Sequence, residues 1–367
     1  MKDSRQDSDI DSLAAQVLRL SRMLTRERDL LPHRYLKDPG LRKAYLEYFL
    51  PANEEKIHLP LSELFLHPDA LAGKSLLRVL DIGTGPGTSL LGLLGFYARR
   101  ERQPRLAFTA VDRVQENLLE AERLVRERSA ETALRTLRAS VEELPRLLKE
   151  QYDLIIFSNV LNELFIGEDN RVSRRIPLVG NILRTLLADD GSCIIIEPAL
   201  RETSRDLLTL RDGLLRERLH LFSPCMTGDR CPALDNPRDW CHEDLLWEPS
   251  ERIREIDRRI GLRKDSLKFS YLVLRKDALT LAGVLPERSC RVVSEPLVSR
   301  GKIELFLCGP AGRRLVTRLD KERTAENEVF GELRRGMIVS FRGLLDEGTR
   351  FRVAKETSVA LVPISSK

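Results

Sequence analysis

Val79-Leu80-Asp81-Ile82-Gly83-Thr84-Gly85-Pro86-Gly87-Thr88 decides how the rest of the chain is read. An apolar run ends on an acid, three glycines follow at alternate positions, and the apolar segment L-L-G-L-L-G-F-Y begins at Leu90. That pattern is a strand, a tight turn and a helix. Glycine is required in such a turn where a Cβ would block a ligand's approach or where φ is positive. A dinucleotide turn would show G-x-G-x-x-G, whereas this one is G-x-G-x-G. The spacing points to S-adenosylmethionine rather than NAD, with Asp81, Gly83, Gly85 and Gly87 as the expected contacts.

Outward from this turn, β-rich runs alternate with amphipathic helices: L-L-R-V-L-D from Leu76, L-A-F-T-A-V-D from Leu106, Y-D-L-I-I-F-S-N from Tyr152 and S-C-I-I-I-E from Ser192. Alternating βα units imply an α/β fold with a doubly wound, Rossmann-like parallel sheet. The second run ends in Asp112, where a carboxylate can accept hydrogen bonds from ribose hydroxyls. Glu142 and Glu143 follow T-L-R-A-S and stand where an adenine contact is expected for Glu142, although acids also open helices for dipole reasons. At the end of the fourth run, S-N-V-L-N-E-L sets Ser158, Asn159 and Asn162 at the carboxyl edge of the sheet, where open α/β sheets bind ligands. Asn159 is the candidate catalytic and cofactor-contacting residue, and Glu163 is either a base or a helix-start acid. The N-P-P-Y clamp of many amino-group methyltransferases is missing, so cofactor binding is better marked than catalysis.

Before the sheet, residues 10 to 57 carry apolar positions at helical spacing, among them Leu13, Val17, Leu20 and Met23. After it, R-V-V-S, K-I-E-L-F-L-C, M-I-V-S-F and V-A-L-V are short and separated by glycine-containing turns. Three regions are therefore expected: an N-terminal helical cap over 1–58, an α/β domain over 59–285 with an inserted cysteine-rich loop at 220–250, and a small β-rich module over 286–367. The run L-K-F-S-Y-L-V-L, from Leu267, is expected to add an edge strand to the α/β sheet.

Three of six cysteines fall in S-P-C-M-T-G-D-R-C-P-A-L-D-N-P-R-D-W-C-H, from Ser223 to His242. A loop this rich in Pro, Gly, Asp and Asn buries little apolar surface, and a cofactor held by several thiolates is one physical reason for it to be ordered. Cys225, Cys231 and Cys241 lack the tight C-x-x-C spacing of most structural zinc sites, and looser spacing wraps a bulky iron–sulfur cluster more readily. The fourth ligand would come from Cys308, after which a glycine turns the chain, or from Cys290. His242 would make a Cys3His zinc site. Cys193, inside C-I-I-I, reads as a buried core thiol.

The chain has 367 residues, 42% of them hydrophobic and 32% charged, with a formal net charge of +5. This is ample for a sizeable core, and most basic side chains must be compensated by acids. The charge permits a nucleic-acid partner without demanding one. No apolar run approaches the roughly 18 residues that span a bilayer, and the opening M-K-D-S-R-Q-D-S-D-I-D-S lacks a signal-type apolar region and is acidic for a transit peptide. A monomeric, bacterial-type cytoplasmic protein is expected, a compartment in which clustered cysteines are ligands more often than disulfides.

Taken in order, D-I-G-T-G-P-G-T, S-N-V-L-N-E-L, C-M-T-G-D-R-C-P-A-L-D-N-P-R-D-W-C-H and K-F-S-Y-L-V-L resemble the ribosomal small subunit methyltransferase-like family, whose mitochondrial members are small-subunit assembly factors. The lead-in A-Y-L-E-Y-F-L-P-A, through Tyr45 to Ala52, is similar too. The resemblance spans roughly residues 35 to 315. It implies a class I methyltransferase fold, association with the small ribosomal subunit and its rRNA, and a [4Fe–4S] cluster on Cys225, Cys231, Cys241 and Cys308. The family often closes with W-G-D, where this chain has Phe330-Gly331-Glu332. The resemblance leaves three readings open: an rRNA methyltransferase, a non-catalytic assembly factor, and a zinc-stabilised small-molecule methyltransferase.

Overall fold

The computed structural model describes residues 2–27, 35–71 and 73–364. Four helices precede the sheet: α1 (Lys2–Thr25), α2 (Pro39–Ala44), α3 (Leu50–Glu55) and α4 (His58–Leu66). The Asp38 carboxylate caps α2 by accepting the N–H groups of Gly40 and Leu41 at 2.9 and 3.2 Å. Between α2 and α3 the helix widens to a π turn over Tyr45–Phe49, closed by the Leu50 N–H on the Tyr45 carbonyl. Pro51 has no N–H to give the preceding turn, and the wider turn accommodates that missing bond. Leu13, Val17 and Leu20 of α1 pack with Leu41, Tyr48 and Phe49 in one apolar cluster.

The α/β sheet follows. Its strands are β1 (Leu76–Ile82), β2 (Arg105–Asp112), β3 (Ala133–Arg138), β4 (Tyr152–Ser158), β5 (Leu187–Pro198), β6 (His220–Ser223), β7 (Glu243–Leu246) and β8 (Ser266–Arg275). Its helices are α5 (Thr88–Ala98), α6 (Gln115–Arg128), α7 (Leu144–Leu147), α8 (Arg171–Leu186), α9 (Arg201–Arg216) and α10 (Glu251–Ile260). The strand order is β3-β2-β1-β4-β5-β8-β6, with β7 also paired to β8. β1 to β5 run parallel, and β8 is antiparallel to β5, β6 and β7. A doubly wound sheet with one reversed strand inserted beside β5 is the Rossmann-like methyltransferase arrangement.

Strand residues alternate between two cores. Val79, Ile156 and Ile194 join helices α4, α5 and α6 on one face. Leu80, Ile155 and Ile195 join α7, α8 and α9 on the other. A strand covered on both sides reads as a continuous apolar run, which is why period-two alternation is weak here. Each aliphatic side chain so buried contributes about 1.5–3 kcal/mol.

The expected edge strand is a correction. Ser266–Arg275 lies inside the sheet with nearly every residue buried, flanked by β5 and β6. Its apolar run already suited an interior position, but nothing in its period names its neighbours. Nor is the cysteine-rich stretch only a loop, since it starts from β6 and leads into β7.

A second sheet follows: β9 (Cys290–Val292), β10 (Leu297–Ser299), β11 (Lys302–Gly309), β12 (Gly312–Leu319), β13 (Ile338–Arg342), β14 (Leu345–Asp346), β15 (Arg350–Val353) and β16 (Ser358–Val362). Its order is β14-β15-β12-β11-β9-β13-β16, with β10 on β11, around Val292, Leu305, Val316, Phe330 and Phe341.

Candidate functional site

The turn after β1 has Gly83, Gly85 and Gly87 at φ of 70°, 54° and 84°, a region L side chains enter only at a cost. Each glycine serves differently. A Cβ on Gly83 would stand 2.4 Å from Val160 Cγ2, so this position lets the chain after β4 pack against the turn. Gly87 precedes the first residue of α5 and lies against Ala121. At Gly85 a Cβ would meet nothing within 4 Å. The turn thus offers one open backbone edge, with the N-terminal end of α5 beside it.

Asp112 ends β2 and ties the turn down. Its Oδ2 accepts the Gly85 N–H at 3.0 Å and its Oδ1 accepts the Val114 N–H at 2.8 Å. A carboxylate has about four acceptor positions, so this one retains capacity for a ligand's hydroxyls. Asp81 is 1% exposed and sits beneath the turn, where its Oδ2 accepts the Thr84 hydroxyl at 2.6 Å. Burial pushes its carboxyl up to about 7, against the Thr84 hydrogen bond and with a smaller push from the Asp112 charge. Its Oδ1 has no partner among the described residues. Asp81 shapes the turn from below and does not form part of the cavity wall.

Above the turn lies a cavity of about 530 Å³, walled by Gly83, Gly85, Asp112, Ser158, Asn159 and Glu163, and also by Tyr35, Tyr45, Phe49, Lys56 and Lys264. Such a volume is within the usual range of small-molecule sites. Asn159 has φ 56°, a left-handed conformation at the end of β4 that asparagine tolerates better than most residues. Its side-chain amide donates to Ser158 Oγ at 3.4 Å. Glu142 is exposed in the turn of helix Val141–Glu143 and stands off the cavity, whose wall there is Ala139 and Val141. Glu143 accepts the Ser140 N–H in a capping box.

Sequence reasoning missed the roof. Tyr45, from the π turn, shares a 3.1 Å hydrogen bond with Thr88 of α5, which ties the helical layer to the glycine turn. Tyr35 has its hydroxyl pushed well up, mainly by burial, with Tyr45, Glu163 and Asp112 adding. The signal available was the aromatic-rich lead-in, but nothing in it says which ring faces a turn 40-odd residues away.

The four cysteines expected to act as ligands lie elsewhere, between α9 and β11. Cys231 and Cys241 pack with Leu208 and Ala233, and Cys225 edges the core beneath α8 and α9. Cys308 lies on β11, paired across the ladder with Arg313 and Arg291. Burial raises the thiols of Cys241 and Cys308, and the charges of Cys225 and Cys231 raise both further, which places all four in one electrostatic neighbourhood. Cys290 is pushed up to about 11 by burial, and its Sγ lies against Gly309. Cys193 is fully buried in the sheet core, and none of the six cysteines is in a disulfide. His242 stacks on Trp240 with its centroid 5.9 Å away.

Thiol donors suit zinc or an iron–sulfur cluster, yet among the described residues no group of three or more His, Cys, Asp or Glu is arranged to hold a metal ion. The loop also has a source of order that the sequence argument lacked. Buried Arg211 of α9 donates to the carbonyls of Thr227 and Asp229 at 2.6 and 2.8 Å and pairs with Asp212, which accepts the Cys231 N–H. Arg205 of α9 donates to the carbonyls of Ala233, Asn236 and Asp239, and Arg313 pairs with the Asp239 carboxylate at 2.7 Å.

Among solved structures, the chain is similar to a putative methyltransferase from Thermoplasma acidophilum at 14% identity, covering 56% of this chain and 71% of that one with a TM-score of 0.34. An rRNA methylase from Streptococcus thermophilus gives 15%, 59%, 94% and 0.30 in the same order. A putative RNA methyltransferase from Pyrococcus horikoshii gives 12%, 58%, 79% and 0.34. With superpositions this loose, the fold is read from the strand order itself. No curated protein matches the sequence. The model of one protein family, described as mitochondrial small ribosomal subunit Rsm22, matches residues 43–358. That span takes in the glycine turn, the cysteine stretch and nearly all of the second sheet, and the chain belongs to this family.

Proposed function

We propose that this chain is an S-adenosylmethionine-binding, methyltransferase-like protein that works on the small ribosomal subunit, either methylating its rRNA or assisting its assembly. The observation that carries the donor site is the glycine turn, with the open edge at Gly85 lying directly under the cavity and Asp112 tying that edge down. The ribosomal part of the reading is supported by family membership.

When bound, S-adenosylmethionine supplies an electrophilic methyl group on a sulfonium, so little beyond positioning is asked of the protein. Asp112 would accept ribose hydroxyls and Gly83, Gly85 and Gly87 would admit the ligand to the backbone. Asp81 would hold Thr84 and so the shape of the turn, and Tyr35 and Tyr45 would keep water out from above. Asn159 would orient the acceptor at the edge of β4, and Glu163 is a carboxylate on the same wall able to take the acceptor's proton. We assign Glu142 no donor contact.

The non-catalytic reading draws on the β4 edge, where the groups presented are a hydroxyl and an amide that bond to each other. Label transfer separates the two. Purified chain, methyl-tritiated S-adenosylmethionine and small-subunit particles lacking the native modifications should give counts in rRNA that vanish in Asn159→Ala. Donor binding with no counts would make the chain an assembly factor.

We further infer a [4Fe–4S] cluster on Cys225, Cys231, Cys241 and Cys308, with zinc as the alternative. The family resemblance and the shared electrostatic neighbourhood of the four thiols support it, and the four would have to close up to form a ligand shell. Iron, sulfide and zinc analysis after anaerobic purification decides: stoichiometric iron and sulfide support the cluster, and zinc alone removes it.

A further inference from the structure

The cavity holds a second chemistry that the donor reading leaves unused. Lys56 follows α3 and Lys264 follows α10, and both line the wall. Both are half-buried, and among the described residues neither ammonium is held in a salt bridge, although the charge of Asp257 favours the charged form of Lys264. Lys264 Nζ lies 5.1 Å from the ring centroids of both Tyr48 and Phe49. Asp257 accepts the Tyr48 hydroxyl and, at 2.8 Å, the backbone N–H of Lys264, and it reaches the Lys264 ammonium through its charge alone.

Two like charges on one sheltered wall are unfavourable without an anion between them. Burial, with a smaller push from the Lys264 charge, brings the Lys56 ammonium down to about 7. An anion arriving at the pair would restore the charged form. A third lysine, Lys268 of β8, lines the same cavity and is paired with Asp244 at 3.2 Å. Lysines drawn from three elements suit repeated phosphates on a strand better than one small carboxylate.

We propose that Lys56 and Lys264 form a phosphate subsite that seats a backbone phosphodiester of a single RNA strand entering the cavity beside the donor. The subsite rests on reading this cavity as the donor site, and it extends that reading to the acceptor.

Two titrations on the full chain test it. Affinity for a short labelled single-stranded RNA is measured across a range of KCl concentrations, and affinity for S-adenosylhomocysteine is measured in parallel. Lys56→Met and Lys264→Met should each weaken RNA binding severalfold and flatten the log–log salt dependence by about 0.7. Lys56→Arg and Lys264→Arg should retain both, and S-adenosylhomocysteine affinity should stay unchanged throughout. Lys56→Gln and Lys264→Gln replace any Met variant that thermal melting shows to be unfolded. An unchanged salt slope overturns the proposal, as does a wild-type chain that binds no RNA. Loss of S-adenosylhomocysteine affinity in the lysine variants would instead make the pair an anchor for the donor's carboxylate. Competition by inorganic phosphate without any effect of the lysines on RNA would leave a free-phosphate site and remove the strand. A wild-type chain that fails to bind S-adenosylhomocysteine while the slopes still fall would sink the donor reading and leave the phosphate subsite standing.

Discussion

Gly83 and Gly85 share a backbone region but answer to different neighbours, and substitution separates them. Gly85→Ala pays the left-handed cost of about 1–2 kcal/mol, and because its Cβ projects toward open space, the larger loss should be in S-adenosylhomocysteine affinity. Gly83→Ala carries the same backbone cost plus a clash with Val160, for which overpacking typically adds about 1–3 kcal/mol. Urea midpoints should therefore fall further for Gly83→Ala, and ligand titration of the folded Gly85→Ala protein should show the binding defect; equal midpoints would contradict this division. Asp81 makes a pH-dependent contribution. Its folded carboxyl titrates near 7 against an ordinary 3.8, so between those values the folded state keeps a proton that the unfolded state has released. Stability from this group falls as pH rises through that window, by up to about 4 kcal/mol. Asp81→Asn should flatten the pH dependence of the urea midpoint across it, and an unchanged profile would mean that Asp81 is ionised throughout.

The elements differ in how far they could be read in advance. β1, the glycine turn and α5 were legible because the left-handed backbone at Gly83, Gly85 and Gly87 restricts the residue type locally. Asp112 was legible because a strand end fixes where its side chain emerges. The position of β8 was not, since an apolar run records that both faces are covered and says nothing of which strands lie alongside. The cysteine stretch illustrates the same limit. Its composition argued for a cofactor as the source of order, while Arg205 and Arg211 reach it from α9 and satisfy its carbonyls. Those arginines looked in sequence like any charged helix face. Arg211→Met would strand Asp212 in a buried site, and breaking such a pair costs about 3–5 kcal/mol. The expected result is faster limited proteolysis between 225 and 241 together with a lower melting temperature. Unchanged cleavage would show that the loop is ordered by something else, and a metal would become the leading explanation.

At the scale of the whole molecule, the second sheet is locked to the first through buried Arg291 of β9. Its guanidinium pairs with Glu63 of α4, lies 3.6 Å from Glu243 of β7, and donates to the Pro224 carbonyl at 3.0 Å. One side chain thus links the helical layer, the cysteine stretch and both sheets, a convergence of residues 67 and 228 positions from Arg291 that no local pattern encodes. The cavity is built in the same way, with its floor from the glycine turn and its roof from the N-terminal helices. The most direct test is calorimetric titration of the full chain with S-adenosylhomocysteine, in wild type and Asp112→Ala. Hydrogen bonds to a charged group contribute about 1.5–3 kcal/mol, so the account predicts one-to-one binding by wild type and at least about tenfold weaker binding by the variant. Absence of binding to wild type, or equal affinity in the two proteins, would contradict it.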